Sequence, residues 1–413
     1  MSDLDAGAPI ELLRFTGEDR AGLTAELTAA MCDAGDVVIL DLNQAVIHEL
    51  LLLGMVVRMP ADAAAREAVG AAVAGASARL GMRVRRRVIE PADYDRWVEA
   101  QGRPRSILTL LARRITAAQL AAVSAVVAEQ GLNIDVIHRL SGRPPRVAAA
   151  GGAPTRACIE FSLRGTPNDK AAMHAAFMKL GGELALDVAW QKDDAYRRMR
   201  RMVVFDMDST LIRQEVIDEL AKEAGAGEQV AAVTAAAMRG EIEFDESLRR
   251  RVATLAGLPV AVLDTVADRL ELTEGCATLM ENLRAFGYRT AVLSGGFDHF
   301  GRHLQRRLGL DHVHANTLEV ADGLLTGRVT GPIVNGARKA ELLDTIAAQE
   351  GIHRRQVIAI GDGANDLPML ERAGLGIAFH AKPRVRAEAD QAVSTLGLDA
   401  LLYLIGVRDR ERA

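Results

Sequence analysis

The spacing of apolar positions changes several times along this chain, and each change marks an element. Ile10–Thr16, Val37–Ile47, Leu50–Met59 and Arg83–Ile89 show the short apolar or alternating runs of strands, with helical spacing over Ala21–Ala34 and Ala61–Leu80. The order is βαββαβ. It recurs in strands at Ser106–Ala112, Asn133–Leu140, Arg156–Leu163 and Glu183–Trp190, with helices at Ala117–Gln130 and Asn168–Leu180. Gly35 and Gly131 fall at matching helix ends, where glycine accepts a left-handed stop without steric cost. The Pro-, Gly- and Ala-rich insert Ser141–Thr155 reads as a mobile loop inside the second copy. The charged run Asp193–Arg201 then reads as a solvated linker helix.

Beyond that run the pattern becomes an alternation of strands and helices. Met202–Phe205, Arg289–Leu293, Val357–Ile360 and Leu375–Ala378 are short, continuously apolar strand candidates. Such strands belong to a doubly wound parallel α/β sheet with right-handed crossovers. More than 80 residues, with helical patterning from Glu215 to Phe286, separate the first two strands. One crossover needs far fewer, so the surplus at about 217–270 is expected to form an inserted helical cap. The expected organisation is therefore two α+β modules at 9–90 and 104–190, a linker at 191–201, and an α/β domain at 202–407.

Composition narrows the function. The chain has 413 residues, enough for two or three domains. Aromatic residues make up only 4%, and the formal charge of −5 offers no basic footprint, so nucleic acid is not an expected partner. Cys32, Cys158 and Cys276 form no metal-ligand spacing and suit a reducing compartment. Met1–Ala8 is acidic and small, unlike a secretory leader. The most apolar stretch, Ala45–Val57, is too short to span a bilayer. No membrane partner is expected, and the cytoplasm is the expected location.

The chemistry gathers at strand ends. Met202–Phe205 runs into Asp206 and Asp208, two acids on one side of an extended backbone. Carboxylates that close repel unless a cation or a proton intervenes. Three further stretches carry polar chemistry in the same setting. They are Ser294-Gly295-Gly296-Phe297, Lys339 after the Asn335-Gly336 turn, and Gly361-Asp362-Gly363-Ala364-Asn365-Asp366. In open α/β sheets the carboxyl ends of the strands are where ligands bind. Taken singly, Ser-Gly-Gly and Gly-Asp-Gly are turn signals, Lys339 a surface lysine and Asp208 a helix cap; their order along one sheet edge carries the inference.

These motifs, Asp206-x-Asp208-x-Thr210, Ser294-Gly295-Gly296-Phe297, Lys339 and Gly361-Asp362-Gly363-x-Asn365-Asp366, resemble those of the haloacid dehalogenase-like phosphatases. Glu215, Met238, Phe244 and Ser247–Val252 make the cap region similar to that of the phosphoserine phosphatase family. The resemblance implies Asp206 as nucleophile and Asp208 as general acid and base. It implies Mg2+ on Asp206, the backbone carbonyl of Asp208, and Asp362. Glu215 and Arg251 would hold the ammonium and carboxylate of O-phosphoserine, Met238 and Phe244 would close over it, and Ser294, Gly295, Lys339 and Asn365 would surround the phosphate. Serine biosynthesis, at its last step, is the implied setting. The paired βαββαβ modules resemble ACT domains, ferredoxin-like modules that bind amino acids. Thr16–Leu23, with Gly17, Asp19 and Gly22, is similar to that family's ligand loop, which implies L-serine as effector and a homodimer formed through these modules. Leu111–Thr116 in the second copy lacks the glycines. A phosphatase or phosphotransferase for another small phosphoester is a competing reading, and an amino-acid sensor with a vestigial enzyme half is another.

Overall fold

The computed structural model describes residues 8–143 and 155–413. The chain divides into two compact units, Met1–Arg103 and Pro104–Ala413. Most of the expected mobile insert Ser141–Thr155 lies outside the described residues.

In the first unit β1 (Ile10–Glu18), β2 (Val38–Ile47), β3 (Leu50–Arg58) and β4 (Arg83–Ile89) form an antiparallel sheet in the order β2-β3-β1-β4. Leu13, Phe15, Leu51, Leu53, Met55 and Val57 alternate inward, as a period of two requires, and pack with the helices Leu23–Ala34 and Ala63–Arg79. Glu11 shares this buried row, and its carboxylate takes a two-pronged hydrogen bond from Arg86 at 2.8 and 2.9 Å. Three local details differ from the sequence reading. β1 runs to Glu18, so Gly17 pairs with Leu51 inside the sheet rather than lying in a loop. Gly35 ends its helix extended, at φ 167°, packed against Val69, whereas Gly131 adopts the left-handed stop at φ 69°. A further helix, Pro91–Gln101, carries no buried residue, and its polar periodicity gave no signal.

The second unit opens with β5 (Arg105–Ala112), β6 (Asn133–Arg139), β7 (Ala157–Arg164) and β8 (Leu186–Lys192), again antiparallel in the order β6-β7-β5-β8. The helix preceding β8 runs from Lys170 to Leu184 and takes in Glu183, which the sequence reading gave to the strand.

Next comes a seven-stranded sheet. Its strands are β9 (Met202–Phe205), β10 (Arg289–Phe297), β11 (His312–Ala321), β12 (Leu324–Thr330), β13 (Val357–Gly361), β14 (Leu375–Phe379) and β15 (Gln391–Val393). Their order is β12-β11-β10-β9-β13-β14-β15, parallel except for β12 at one edge. Apolar side chains on both faces bury the central strand β9 completely. β11, β12 and β15 were not read from the sequence. The first two mix polar and apolar residues without clean alternation, and β15 has only three residues. Five α-helices lie between β9 and β10: Val216–Glu223, Gly227–Met238, Phe244–Ala253 and Ala261–Asp268 in the inserted region, then Cys276–Ala285 leading into β10.

Outer strands β8 and β15 meet through side chains. The Gln391 amide accepts from the Trp190 backbone N–H and donates to its carbonyl, both at 2.7 Å. Asp187 accepts from the N–H groups of Ser394 and Thr395 at 2.9 and 2.7 Å. Two open sheet edges are thereby satisfied. The charged run is not simply solvated either, because Arg197 is 8% exposed and bonded to Glu160 at 2.5 Å. Replacing Gln391 with Leu should strand both Trp190 backbone groups and cost about 1–3 kcal/mol. Urea unfolding would report this as a lower midpoint; an unchanged midpoint would mean that other groups satisfy this edge.

Candidate functional site

The register of the parallel strands brings the polar residues to one edge. Phe205 stands level with Val292 of β10 on one side and Ile360 of β13 on the other. Asp206, Ser294 and Asp362 follow these positions by one or two residues and emerge together. The chain after β9 turns sharply, and Ser209 occupies left-handed backbone at φ 54°. That conformation is costly for a residue with a side chain. The turn lets Asp208 Oδ1 accept the N–H of Val216 at 3.1 Å while the Ser209 hydroxyl donates to Glu215 at 2.8 Å.

Lys339 enters from the helix Gly336–Gln349, whose first turn is capped by the Asn335 side chain accepting from Arg338 N–H at 3.1 Å. The lysine is wholly buried, a placement that lysine tolerates only when paired. Its ammonium lies 2.8 Å from Asp206 Oδ1 and 2.7 Å from Asp366 Oδ1. Asp206 Oδ1 also accepts the N–H of Met207 at 2.7 Å, leaving Oδ2 over. Asp366 is spoken for at both oxygens, since Oδ2 accepts the N–H of Gly363 at 2.9 Å.

Two glycines allow close approach. A side chain at Gly296 would run into Asp208 Oδ2, and one at Gly295 would come within 2.8 Å of the Phe244 ring. Phe244 therefore lies directly against the Ser-Gly-Gly segment. Ser294 is fully buried, and its hydroxyl accepts the N–H of Gly296 at 2.9 Å.

Burial pushes the Asp206 carboxyl well above the usual carboxylate range. Asp366 adds to the rise, and the Lys339 ammonium opposes it. Asp208 is also held well above that range by burial, with Glu215 adding to it and the Val216 N–H opposing. Burial, with Asp366 and Glu215, pushes Asp362 up to about 7. For Lys339 burial acts to lower the pKa, but Asp206 and Asp366 outweigh it and hold the ammonium above its ordinary value.

Asp206, Asp362 and Asp366 each offer an oxygen within 4.8 Å of the others. An all-oxygen donor set of this kind fits a hard divalent cation. Asp366, with both oxygens engaged, is the least free of the three. Asp362 has only a 3.5 Å contact from the Thr210 hydroxyl.

The cap residues are less tightly gathered. Arg251 is half-buried; burial lowers its pKa, while Glu215, Asp218 and Asp208 act to raise it. Arg249 and Arg250 are exposed, so the arginine run presents one member inward. Met238 is 61% exposed, and Asn365 is half-buried. In the first unit Gly17 lies in β1, Asp19 donates its N–H to Glu49 at 2.7 Å, and Gly22 precedes the first helix at φ 92°.

Sequence reasoning missed Asn316, Lys382 and the pair Asn335–Asp245. Asn316 is 2% exposed; its amide donates to the Gly295 carbonyl and accepts from Val334 N–H, both at 2.8 Å. It sits on β11, a strand not recognised, so no signal flagged it. Lys382 follows β14 and lies 3.6 Å from the Met238 sulfur. A cation before Pro383 at a strand end was the available clue. Asn335 Nδ2 donates to Asp245 at 3.0 Å, tying the cap to the helix that carries Lys339.

A haloacid dehalogenase-like hydrolase family model matches residues 203–371, and an ACT domain model matches 10–86. The chain is 44% identical over 396 residues to phosphoserine phosphatase SerB2 of Mycobacterium tuberculosis, covering 96% of this chain and 93% of that one. It is 41% identical over 403 residues to a phosphoserine phosphatase of Streptomyces coelicolor, covering 98% and 93%. The structure of a probable phosphoserine phosphatase from Vibrio cholerae superposes with a TM-score of 0.58 at 33% identity, covering 73% of this chain and 86% of that chain. Among the described residues no helix is long and apolar enough to cross a membrane.

Lys339→Met should expose how much the buried charges depend on one another. Without divalent cation, Asp206 and Asp366 lose their counter-charge, at a cost of about 3–5 kcal/mol near neutral pH. The folded-state pKa of Asp206, already above its unfolded value, rises further. Its contribution is complete below the unfolded pKa and is lost as pH rises through the folded one. The deficit should therefore be smaller at about pH 5 than at about pH 8 in urea unfolding. A deficit independent of pH would show that Asp206 does not depend on Lys339 in this way.

Proposed function

The chain belongs to the phosphoserine phosphatase family of haloacid dehalogenase-like hydrolases, and from that premise we propose a Mg2+-dependent enzyme that hydrolyses O-phospho-L-serine to L-serine and phosphate. That reaction would be the last step of serine biosynthesis. The observation that carries the proposal is the buried Asp206 held against Lys339 at a strand end, with Asp208 close by and opposite charges, Glu215 and Arg251, in the cap region.

An oxygen of Asp206 attacks phosphorus, and the bond from phosphorus to the serine oxygen breaks as Asp208 gives that oxygen its proton. The raised pKa of Asp208 supports the protonated form that this step needs. In the second half Asp208 takes a proton from water, the water oxygen attacks phosphorus, and the bond to Asp206 breaks. Both carboxyls return to their starting states. Lys339, the Ser294 hydroxyl and the Gly295 N–H offset charge on the phosphoryl oxygens, and Asn365 supports them. Mg2+, held by Asp206, the carbonyl of Asp208, and Asp362, would supply further positive charge against the repulsion between the ester dianion and the carboxylates.

Glu215 suits the substrate ammonium and Arg251 its carboxylate, through a planar fork. Phe244 and Met238 would exclude water from the ester. For Phe244 the contact with Gly295 is direct support. The ACT domain at the N-terminus supports control by an amino acid, and we take L-serine as effector at Gly17, Asp19 and Gly22. The strand order of β5–β8 supports a second ACT-like module. The outer strand β2 exposes Ile39, Leu42, Val46 and Ile47, an apolar edge that suits a homodimer. Three unpaired cysteines suit the cytoplasm.

Asp206→Asn should lower phosphoserine turnover more than ~1,000-fold. Chelation should abolish turnover in the parent chain, and added Mg2+ should restore it. Full turnover in Asp206→Asn would refute the nucleophile, and a higher kcat/KM on a sugar phosphate would move the substrate elsewhere. Gly22→Leu should remove inhibition by added serine while sparing turnover. Inhibition equal to that of the parent chain would clear this loop of the role.

A further inference from the structure

A cavity of about 570 Å³ lies within the second unit, away from the carboxylates. On one side are the helix Lys170–Leu184 and strand β8; on the other is the end of the parallel sheet where the strands begin. Arg200 stands just before β9 and Arg355 just before β13, while Leu375 opens β14 and Gln391 opens β15. These strands run from the cavity to the edge that carries Asp206 and Asp362.

We propose that this cavity binds a small organic anion, with a carboxylate or phosphate head held by Lys170, His174 and Arg200 and a flat apolar body lying among Trp190, Phe177 and Leu375. The size falls in the range of small-molecule sites, about 300–1,000 Å³, which favour junctions between modules.

The polar groups ask for an acceptor. Arg200 donates to the carbonyls of Arg355 and Gly374, the latter at 2.9 Å, so its bonds go to neutral groups, and its Nε is buried without a partner among the described residues. Burial pushes this guanidinium down to about 10, with the Asp194 carboxylate opposing and the Arg197 and Arg355 charges adding to the fall. His174 Nε2 is likewise buried without a partner among the described residues. A buried polar atom left unpaired is costly; both atoms are closed to solvent, so an anion in the cavity would act on the Arg200 guanidinium through space rather than by a direct bond to Nε. Lys170 Nζ lies 5.5 Å from the centre of the Trp190 ring.

The carboxylates lining the cavity are largely committed. Asp194 pairs with Arg355 at 2.6 Å and Glu388 with Arg384 at 3.0 Å. That leaves Asp390 against Lys170, Lys192 and Arg200, a positive balance. Met173, Phe177, Val188 and Leu375 supply the apolar part of the lining. A flat organic body uses this surface, and a bare inorganic anion does not. The inference is independent of the phosphoserine reading, because it uses none of the same residues.

The chain has two tryptophans, Trp97 and Trp190, so full-length Trp97→Phe protein reports on Trp190 alone. Phenylphosphonate, which a phosphatase cannot hydrolyse, and phenylacetate serve as probes, with inorganic phosphate as the third titrant. At least one aromatic probe should change Trp190 emission saturably, and the tighter of the two identifies the head group. Lys170→Met combined with His174→Leu should weaken that probe by ~10-fold or more. Lys170→Glu, a change on the exposed outer turn, should weaken it further. Absence of saturation with both aromatic probes, equal affinity in the variants, or equal response to inorganic phosphate would each overturn the proposal.

Discussion

A single ammonium group, buried without access to water, holds the catalytic half together. Lys339 stands between Asp206 and Asp366, and each of the three would be intolerable there alone. Strands β9 and β13 and the helix Gly336–Gln349 each contribute a charge, so their relative positions are fixed by electrostatics as well as by packing. Gly363 N–H on Asp366 and Met207 N–H on Asp206 complete the hydrogen bonding. The turn after β9, with Ser209 held in an unfavourable backbone conformation, brings Asp208 in beside this cluster.

Much of this was legible in the sequence because the chemistry sits where strands stop. A short, wholly apolar run followed by acids or Ser-Gly-Gly is a strong local signal, and β9, β10, β13 and β14 all gave it. Asn316 and Lys382 were not legible. The former works by bracing the Gly295 carbonyl from a strand whose polar and apolar residues do not alternate. The latter opposes the rise at Asp362 through its charge and touches the Met238 sulfur across the chain. Backbone conformation was also partly hidden: glycine at residue 35 suggested a left-handed stop, yet the position is extended, and its small size serves packing against Val69. The same limit applies to Arg197, which lies in the middle of a run of charges that looks solvated and is instead paired inside with Glu160.

The second unit shows how two sheets can be joined without a continuous ladder. Gln391 and Asp187 use side-chain oxygens and an amide N–H to satisfy backbone groups across the junction. This seals the edges where they touch and leaves the neighbouring space open. A junction stitched by side chains tolerates a gap beside it; a shared strand ladder would have closed that gap.

Asn335 has two duties that fall on one planar amide. Its oxygen starts the helix of Lys339, and its nitrogen holds Asp245 at the beginning of the cap helix Phe244–Ala253. Lifting that helix would cost the amide one of its two anchors and allow it to rotate. Entry to the pocket and the placement of its counter-charge are therefore geared to the same pivot, so the enzyme would be least ready for chemistry when it is most open to solvent.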